Sequence, residues 1–196
     1  MNFTKCIKLN PKTTQMINRT NFYISIKLNL FKEISDKQKQ GMDAILDYWE
    51  NNGFHDGRHL AYALATCFHE TARTMQPIEE YGKGKTRPYG KPHPITGKTY
   101  YGRGFVQLTW YDNYVKAGKM VNEDFINYPE LACDLEYATE ILIEGMISGL
   151  FTGKKLSDYF NDTKEDPINA RRIINSLDKA ELIAGFYYKF LNAITG

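Results

Sequence analysis

Apolar residues recur at helical spacing along most of the chain. Ser35 and Gln38 have the spacing of a capping box, a hydroxyl N-cap with an amide three residues on. Met42, Ile45, Leu46 and Trp49 follow on one face, and Asn51-Asn52-Gly53 stops the helix. A second helix is expected over about 58–75, with Leu60, Ala63, Leu64, Cys67, Phe68 and Thr71 inward and His69-Glu70-Thr71 in its last turns. A third covers about 130–150, with Leu131, Leu135, Ala138, Ile141, Leu142 and Met146 facing in, before Phe151-Thr152-Gly153 breaks it. Asp166-Pro167 reads as an N-cap followed by proline at the first helical position, and Ala170, Ile173, Ile174 and Leu177 continue it. Asp178 and Glu181 form another cap pair ahead of a last helix carrying Leu182, Ile183, Phe186, Phe190, Leu191 and Ile194. That apolar face suits core packing better than membrane contact.

Two segments depart from this rhythm. Phe22, Ile24, Ile26, Leu28 and Leu30 alternate with polar residues, the pattern of a short strand in an otherwise helical chain. Residues 77–99 are rich in Gly and Pro and predict a long loop, of the kind that is either functional or disordered in a compact domain. Residues 1–20 show no periodicity and read as an irregular lead-in, with Met16 a candidate internal start. The expectation is a mainly α protein with one domain over 21–196.

Charge adds more by its distribution than by its total, which is +2. Residues 1–32 carry Lys5, Lys8, Lys12, Arg19, Lys27 and Lys32 without an acid, and 81–103 carry Lys83, Lys85, Arg87, Lys91, Lys98 and Arg103, again without one. Such runs are either solvated loops or a face for a polyanion, bacterial cell wall or nucleic acid. Cys6, Cys67 and Cys133 are odd in number and widely spaced, which argues against a disulfide framework or zinc ribbon and fits a reducing cytosol. Cys67, among Ala65, Thr66 and Phe68, is expected to pack as a small hydrophobe. No apolar run is long enough for a bilayer, and Lys5, Lys8, Asn10 and Lys12 interrupt any signal-peptide core.

Glu70 ends an apolar-lined helix beside the long loop, where loss of water would favour the protonated carboxyl that a general acid requires. A plain surface glutamate is the alternative. Glu79 and Glu80 follow across Pro77 and could supply a base for water, or simply solubilise the loop. His69-Glu70 lacks the second histidine of H-E-x-x-H, since position 73 is Arg. His55 and His59 are four apart but have no third ligand, so no metal is expected. There is also no phosphate loop and no nucleophile elbow. The stretch 100–114, with Tyr100, Tyr101, Gly102, Arg103, Gly104, Gln107, Thr109, Trp110, Asn113 and Tyr114, mixes rings, amides and a hydroxyl. That mixture suits either a carbohydrate cleft or an aromatic core.

Tyr100-Tyr101-Gly102-Arg103-Gly104, Val106-Gln107-Leu108-Thr109-Trp110 and Asn113-Tyr114 together resemble the signature of glycoside hydrolase family 19. Residues 61–66 with His69-Glu70-Thr71, Pro77-Ile78-Glu79-Glu80, and 170–175 with Asp178 resemble its phage-endolysin branch. The resemblance implies a lysozyme-like, two-lobed helical domain with a substrate cleft. It also implies an inverting mechanism without cofactor. On the matching positions Glu70 would be the acid, Glu80 rather than Glu79 the base, and Thr109 the hydroxyl holding the attacking water. Gln107, Asn113 and Asn175 would bind sugar, and Tyr101 and Arg103 would shape the cleft. Ser176 stands where the family commonly has Gly, and the spacing between the carboxylates is shorter than in plant chitinases.

The leading expectation is therefore a monomeric, muramidase-type endolysin that cuts peptidoglycan glycan strands, binds no nucleic acid and does not insert stably in a membrane. It would be held in the host bacterial cytoplasm until a holin admits it to the periplasmic wall. A chitinase acting on β-1,4 N-acetylglucosamine polymers, a lytic transglycosylase and a non-catalytic glycan-binding module are the alternatives.

Overall fold

The computed structural model describes residues 16–196, so most of the expected lead-in lies outside the described residues. Among the described residues six α-helices carry the fold: α1 (Arg19–Asn29), α2 (Asp36–Asn51), α3 (Gly57–Glu70), α4 (Tyr111–Val121), α5 (Leu135–Ser148) and α6 (Ala180–Thr195). The only sheet among the described residues is a short antiparallel pair, β1 (Ile78–Glu79) and β2 (Arg103–Gly104), in which Glu79 faces Arg103 in register. The mainly α expectation holds.

Helix α3 is the axis of the core. Every residue from Leu60 to Phe68 is buried, a helix apolar on all sides and enclosed by its neighbours. Asp56 starts it by accepting the Arg58 amide at 3.0 Å. Phe68 meets Phe186 of α6 and Phe31 edge to face at 4.8 and 5.1 Å between ring centres. Cys67 is wholly buried, and the position expected of it as a small hydrophobe is the one it occupies.

Several boundaries differ from the sequence pattern. The segment expected as a strand is α1. A two-residue alternation contains a four-residue one, and Phe22 and Ile26 use it to reach the core while Ile24 and Leu28 remain exposed. Asn18 caps the helix, and Arg19 and Tyr23 tie it to Asp47, Glu50 and Asp43 of α2. The Ser35–Gln38 capping box is present as expected. The third helical region is divided: a 3-10 turn runs over Pro129–Cys133, then Asp134 caps α5. Asp166 does receive the Asn169 amide, but what it starts is a 3-10 turn over Asn169–Ile173 rather than an α-helix. The pair Asp178 and Glu181 makes no cap, because α6 is entered from a left-handed Lys179 (φ 59°) without a side-chain cap bond.

Helix α3 ends at Glu70, five residues earlier than its apolar spacing predicts, because Ala72, Arg73 and Met75 all take positive φ. Non-glycine residues rarely adopt that conformation, and each costs of order 1–3 kcal/mol unless its surroundings impose it. Here the surroundings do. The Thr71 hydroxyl donates to Cys67 O (2.7 Å) and accepts from Met75 N (3.1 Å), closing the turn on itself. From α2, Gln38 donates to Arg73 O, and Gln76 donates back to Lys37 O.

At Gly41 the turn presses directly on α2: a Cβ there would lie 1.7 Å from Met75 O. Gly41→Ala is therefore expected to destabilise the protein by about 1–3 kcal/mol, read as a lower denaturation midpoint with an unchanged m-value. Wild-type stability in this variant would mean that the turn is not clamped as described.

Candidate functional site

The sequence-predicted residues fall into two groups. The first gathers on Glu70, the last residue of α3. Its carboxylate is not set in an apolar pocket. Instead Arg171, from the 3-10 turn over Asn169–Ile173, donates Nη1 to Glu70 Oε1 at 2.5 Å, with side-chain exposures of 4% for the arginine and 15% for the glutamate. Arg171 Nε also donates to Asp178 O at 3.1 Å, so the guanidinium is held from both sides. The exposed Asn175 lies two residues beyond that turn, its backbone N–H donating to Arg171 O at 3.0 Å. Burial pushes the His69 imidazole below its ordinary pKa, with Glu70 opposing and Arg171 adding to the shift. The Tyr62 hydroxyl is buried without a hydrogen-bond partner, and burial pushes its pKa upward with Arg171 opposing.

The second group is assembled by the β1–β2 pair and the turn from β2 into α4. Adjacent residues on an extended segment point to opposite sides, so Glu79 and Glu80 have different surroundings. Glu79 accepts from the Tyr101 hydroxyl at 2.6 Å, Lys83 Nζ at 2.9 Å and Arg103 Nε at 3.3 Å. The Tyr101 bond, then the lysine and arginine, hold its carboxyl down at about 2. Arg103 is itself buried, lies 3.7 Å from the Tyr101 ring centre and donates to Tyr114 Oη and Thr99 O. Tyr101 and Arg103 thus brace Glu79.

Glu80 has no cation within ion-pair distance among the described residues. It accepts from the Tyr89 hydroxyl at 3.1 Å and from Gly102 N at 3.3 Å. Gln107, held at φ 53°, donates its amide to Ile78 O and Gly104 O. A Cβ at Gly102 would lie 2.8 Å from Gln107 Oε1 and 3.4 Å from Glu80 Cβ, so glycine is what lets these two side chains converge. Asn113 Nδ2 donates to Thr109 O at 3.0 Å, fixing the threonine backbone while its half-buried side chain remains outside that bond.

Glu79, Glu80, Tyr101, Arg103, Gln107, Thr109 and Asn113 are thus brought together, while Glu70 is linked to the Asn175 backbone only through Arg171. No hydrogen bond or ion pair among the described residues joins the two groups. They are connected along the chain by the turn at 71–76. Arg171 is the residue that motif reading passed over. Ala170 and Ile173 around it are apolar, but two adjacent arginines give no indication of which one turns inward. The possible metal pair does not assemble either: His59 Nε2 is 3.0 Å from Phe160 O, and no group of three His, Cys, Asp or Glu among the described residues could hold a metal ion. No helix among them is long and apolar enough to cross a membrane.

A family model described as chitinase class I matches residues 38–141, a span that includes Glu70, Glu80, Gln107, Thr109 and Asn113. Over 75 residues the chain is 37% identical to an endochitinase of Arabidopsis thaliana, covering 38% of this chain and 26% of that protein. It is 51% identical over 75 residues to an acidic endochitinase of Petunia hybrida, covering 38% and 29%. These stretches span little more than a quarter of the relatives' own length. Among solved structures, a bacterial family 19 chitinase superposes with a TM-score of 0.53 at 20% identity, covering 92% of this chain and 96% of that one. Chitinase C from Streptomyces griseus HUT6037 gives 0.56 at 20% identity, covering 92% and 78%. At that identity the likeness is one of fold.

The bracing of Glu79 has a pH signature. Its carboxyl is depressed in the folded state, so its contribution to stability is full above the ordinary carboxylate range near 4.5 and is lost as pH falls toward 2. Melting temperatures of the wild type and Glu79→Gln should differ at pH 7 and converge as pH falls from about 4.5 to about 2. A difference that persists unchanged at pH 2 would contradict the assignment.

Proposed function

The chain belongs to the chitinase class I family, glycoside hydrolase family 19, and from that premise we propose that it hydrolyses the β-1,4 glycosidic bonds of bacterial peptidoglycan. Glu70 is the acid, Glu80 the base, and Thr109 Oγ1 orients the attacking water. Glu70 gives its proton to the glycosidic oxygen as the bond from the anomeric carbon breaks. Water adds to that carbon from the opposite face and passes its proton to Glu80. A proton exchange with solvent then resets both carboxyls.

The unlike surroundings of the three carboxylates support this division of roles. Glu79, held at about 2 by two cations and a phenol, is a poor proton acceptor. Glu80 is bonded only to the Tyr89 hydroxyl and the Gly102 amide, and no cation among the described residues competes for it. Glu70 is held to one orientation by Arg171, at the end of the most buried helix.

The choice of peptidoglycan over chitin rests on one observation: Lys83, Lys85, Arg87, Lys91 and Lys98 are all exposed on the loop that adjoins Glu80, with no acid between residues 81 and 103. Chitin is uncharged, whereas peptidoglycan carries lactyl and peptide carboxylates that such a loop would attract. The chitinase reading is favoured in turn by the names of the relatives.

Both readings are separated by digesting purified peptidoglycan and N-acetylglucosamine oligomers with the wild type, Glu70→Gln and Glu80→Gln, and identifying the fragments by mass spectrometry. The expected result is reducing-end N-acetylmuramic acid, released at least about 100-fold more slowly by either variant, with wild-type cleavage weakening as salt rises. Anhydro ends with an active Glu80→Gln would indicate a transglycosylase. Cleavage of chitin oligomers alone would establish the chitinase reading, and no cleavage of either substrate would remove the proposal.

A further inference from the structure

Trp110 goes against three local preferences at once. Its backbone lies at φ 74°, ψ 138°, close to a region that glycine alone enters without strain. It is the N-cap of α4, where Ser, Thr, Asp or Asn would supply an oxygen to a helix N–H, and it makes no such bond. It also leaves a large indole 49% exposed. Glycine would satisfy the first and third preferences and serve passably in the second. Local rules broken together at one residue mark a position shaped by something other than folding.

The backbone there has no freedom to relax. Trp110 N donates to Tyr100 O at 2.9 Å, and Trp110 O accepts from Asn113 N at 3.1 Å and Tyr114 N at 3.2 Å. These bonds fix the direction in which the side chain leaves the chain. The indole meets the Tyr89 ring edge to face, with ring centres 5.4 Å apart and planes at 77°. Tyr89 in turn donates its hydroxyl to Glu80. The ring therefore stands beside the proposed base through a single intervening side chain, and it directly follows Thr109 in sequence.

We propose that Trp110 is a sugar-stacking platform. Its exposed face receives the apolar C–H face of one hexopyranose ring of the glycan strand and so sets the position of that strand relative to Glu80. The inference rests on the glycosidase reading above and adds a specificity-determining residue to it. A single ring propped by a tyrosine whose hydroxyl binds the Glu80 carboxylate suits a ligand with one apolar face and polar edges. It does not form the broad apolar patch that a protein partner would cover. The platform also accounts for the strain: a tryptophan held in this conformation presents its ring at a fixed angle, with little rotamer freedom left to lose on binding.

Trp110→Ala, Trp110→Gly and Trp110→Phe, each made in the full chain, test this. Binding of soluble peptidoglycan glycan oligosaccharides is measured by calorimetry with each variant combined with Glu70→Gln. Steady-state kinetics and melting temperature are measured with each alone. The Ala and Gly variants should bind about tenfold more weakly than their parent, with the loss appearing in KM more than in kcat, and Phe should restore most of the affinity. The Gly variant should melt about 2–4 °C above the Ala variant, the reverse of the usual order, because only glycine relieves the strained backbone. Parent-like affinity in both Ala and Gly variants would overturn the proposal. So would a larger fall in kcat than rise in KM, which would indicate displacement of Thr109 instead. If the wild type cleaves no glycan and the Glu70→Gln parent, still showing a cooperative melting transition, binds no oligosaccharide, the glycosidase reading itself falls, and this inference with it.

Discussion

Arg171 holds the carboxylate of Glu70 across a separation of 101 residues, between the end of the most buried helix and a 3-10 turn that precedes the last one. Two charges taken so far from water are tolerable only while they keep each other, and removing either from such a pair costs of order 3–5 kcal/mol. The pair therefore acts as a latch between distant parts of the chain as well as a setting for one side chain. Because α3 is apolar on all sides up to Phe68, Glu70 stands where core packing stops, and Arg171 then fixes its direction. A carboxylate anchored in this way can meet a substrate without first being ordered.

The second constraint is the strained path by which the chain leaves Glu70. Ala72, Arg73 and Met75 take left-handed conformations, pinned by Thr71, Gln38, Gln76 and the close approach of Gly41. That turn delivers Ile78 and Glu79 to their pairing with Arg103 and Gly104 and leaves Glu80 directed at Tyr89 and Gly102. Lys83, Gln107 and Trp110 are further non-glycine residues of positive φ, and all three lie on the segments around the same carboxylates. Strain gathered where side chains must be aimed is the usual sign that geometry at a site has been placed ahead of local comfort.

Helix α2 was legible because a cap, an apolar face and a stop signal agreed, whereas α5 showed its apolar face and its stop but not the Asp134 cap that sets its start. The segment now seen as α1 was not, since Phe22, Ile24, Ile26, Leu28 and Leu30 fit both periods and only its contacts with α2 decide between them. The end of α3 was hidden because its apolar spacing continues past Glu70 while the backbone does not. Of the site, the carboxylates, the amides and Thr109 could be read from motifs. The resemblance favoured Glu80 over Glu79 by motif position alone, and the physical difference between them needed coordinates, because it depends on which of two neighbours faces Tyr101 and Arg103. Arg171 needed them too: its burial follows from the 3-10 register of its turn, whereas the spacing of Ala170, Ile173 and Ile174 had suggested a longer α-helix.

The roles proposed for Glu70 and Glu80 put two carboxylates on opposite faces of one sugar ring, with a water between the second and the anomeric carbon, and that arrangement has a stereochemical consequence. Freshly cleaved peptidoglycan oligosaccharide, followed by proton NMR before mutarotation sets in, should show the new reducing end first as the α-anomer. A β-anomer appearing first would mean retention through a covalent glycosyl-enzyme, and would contradict the roles given to Glu70 and Glu80.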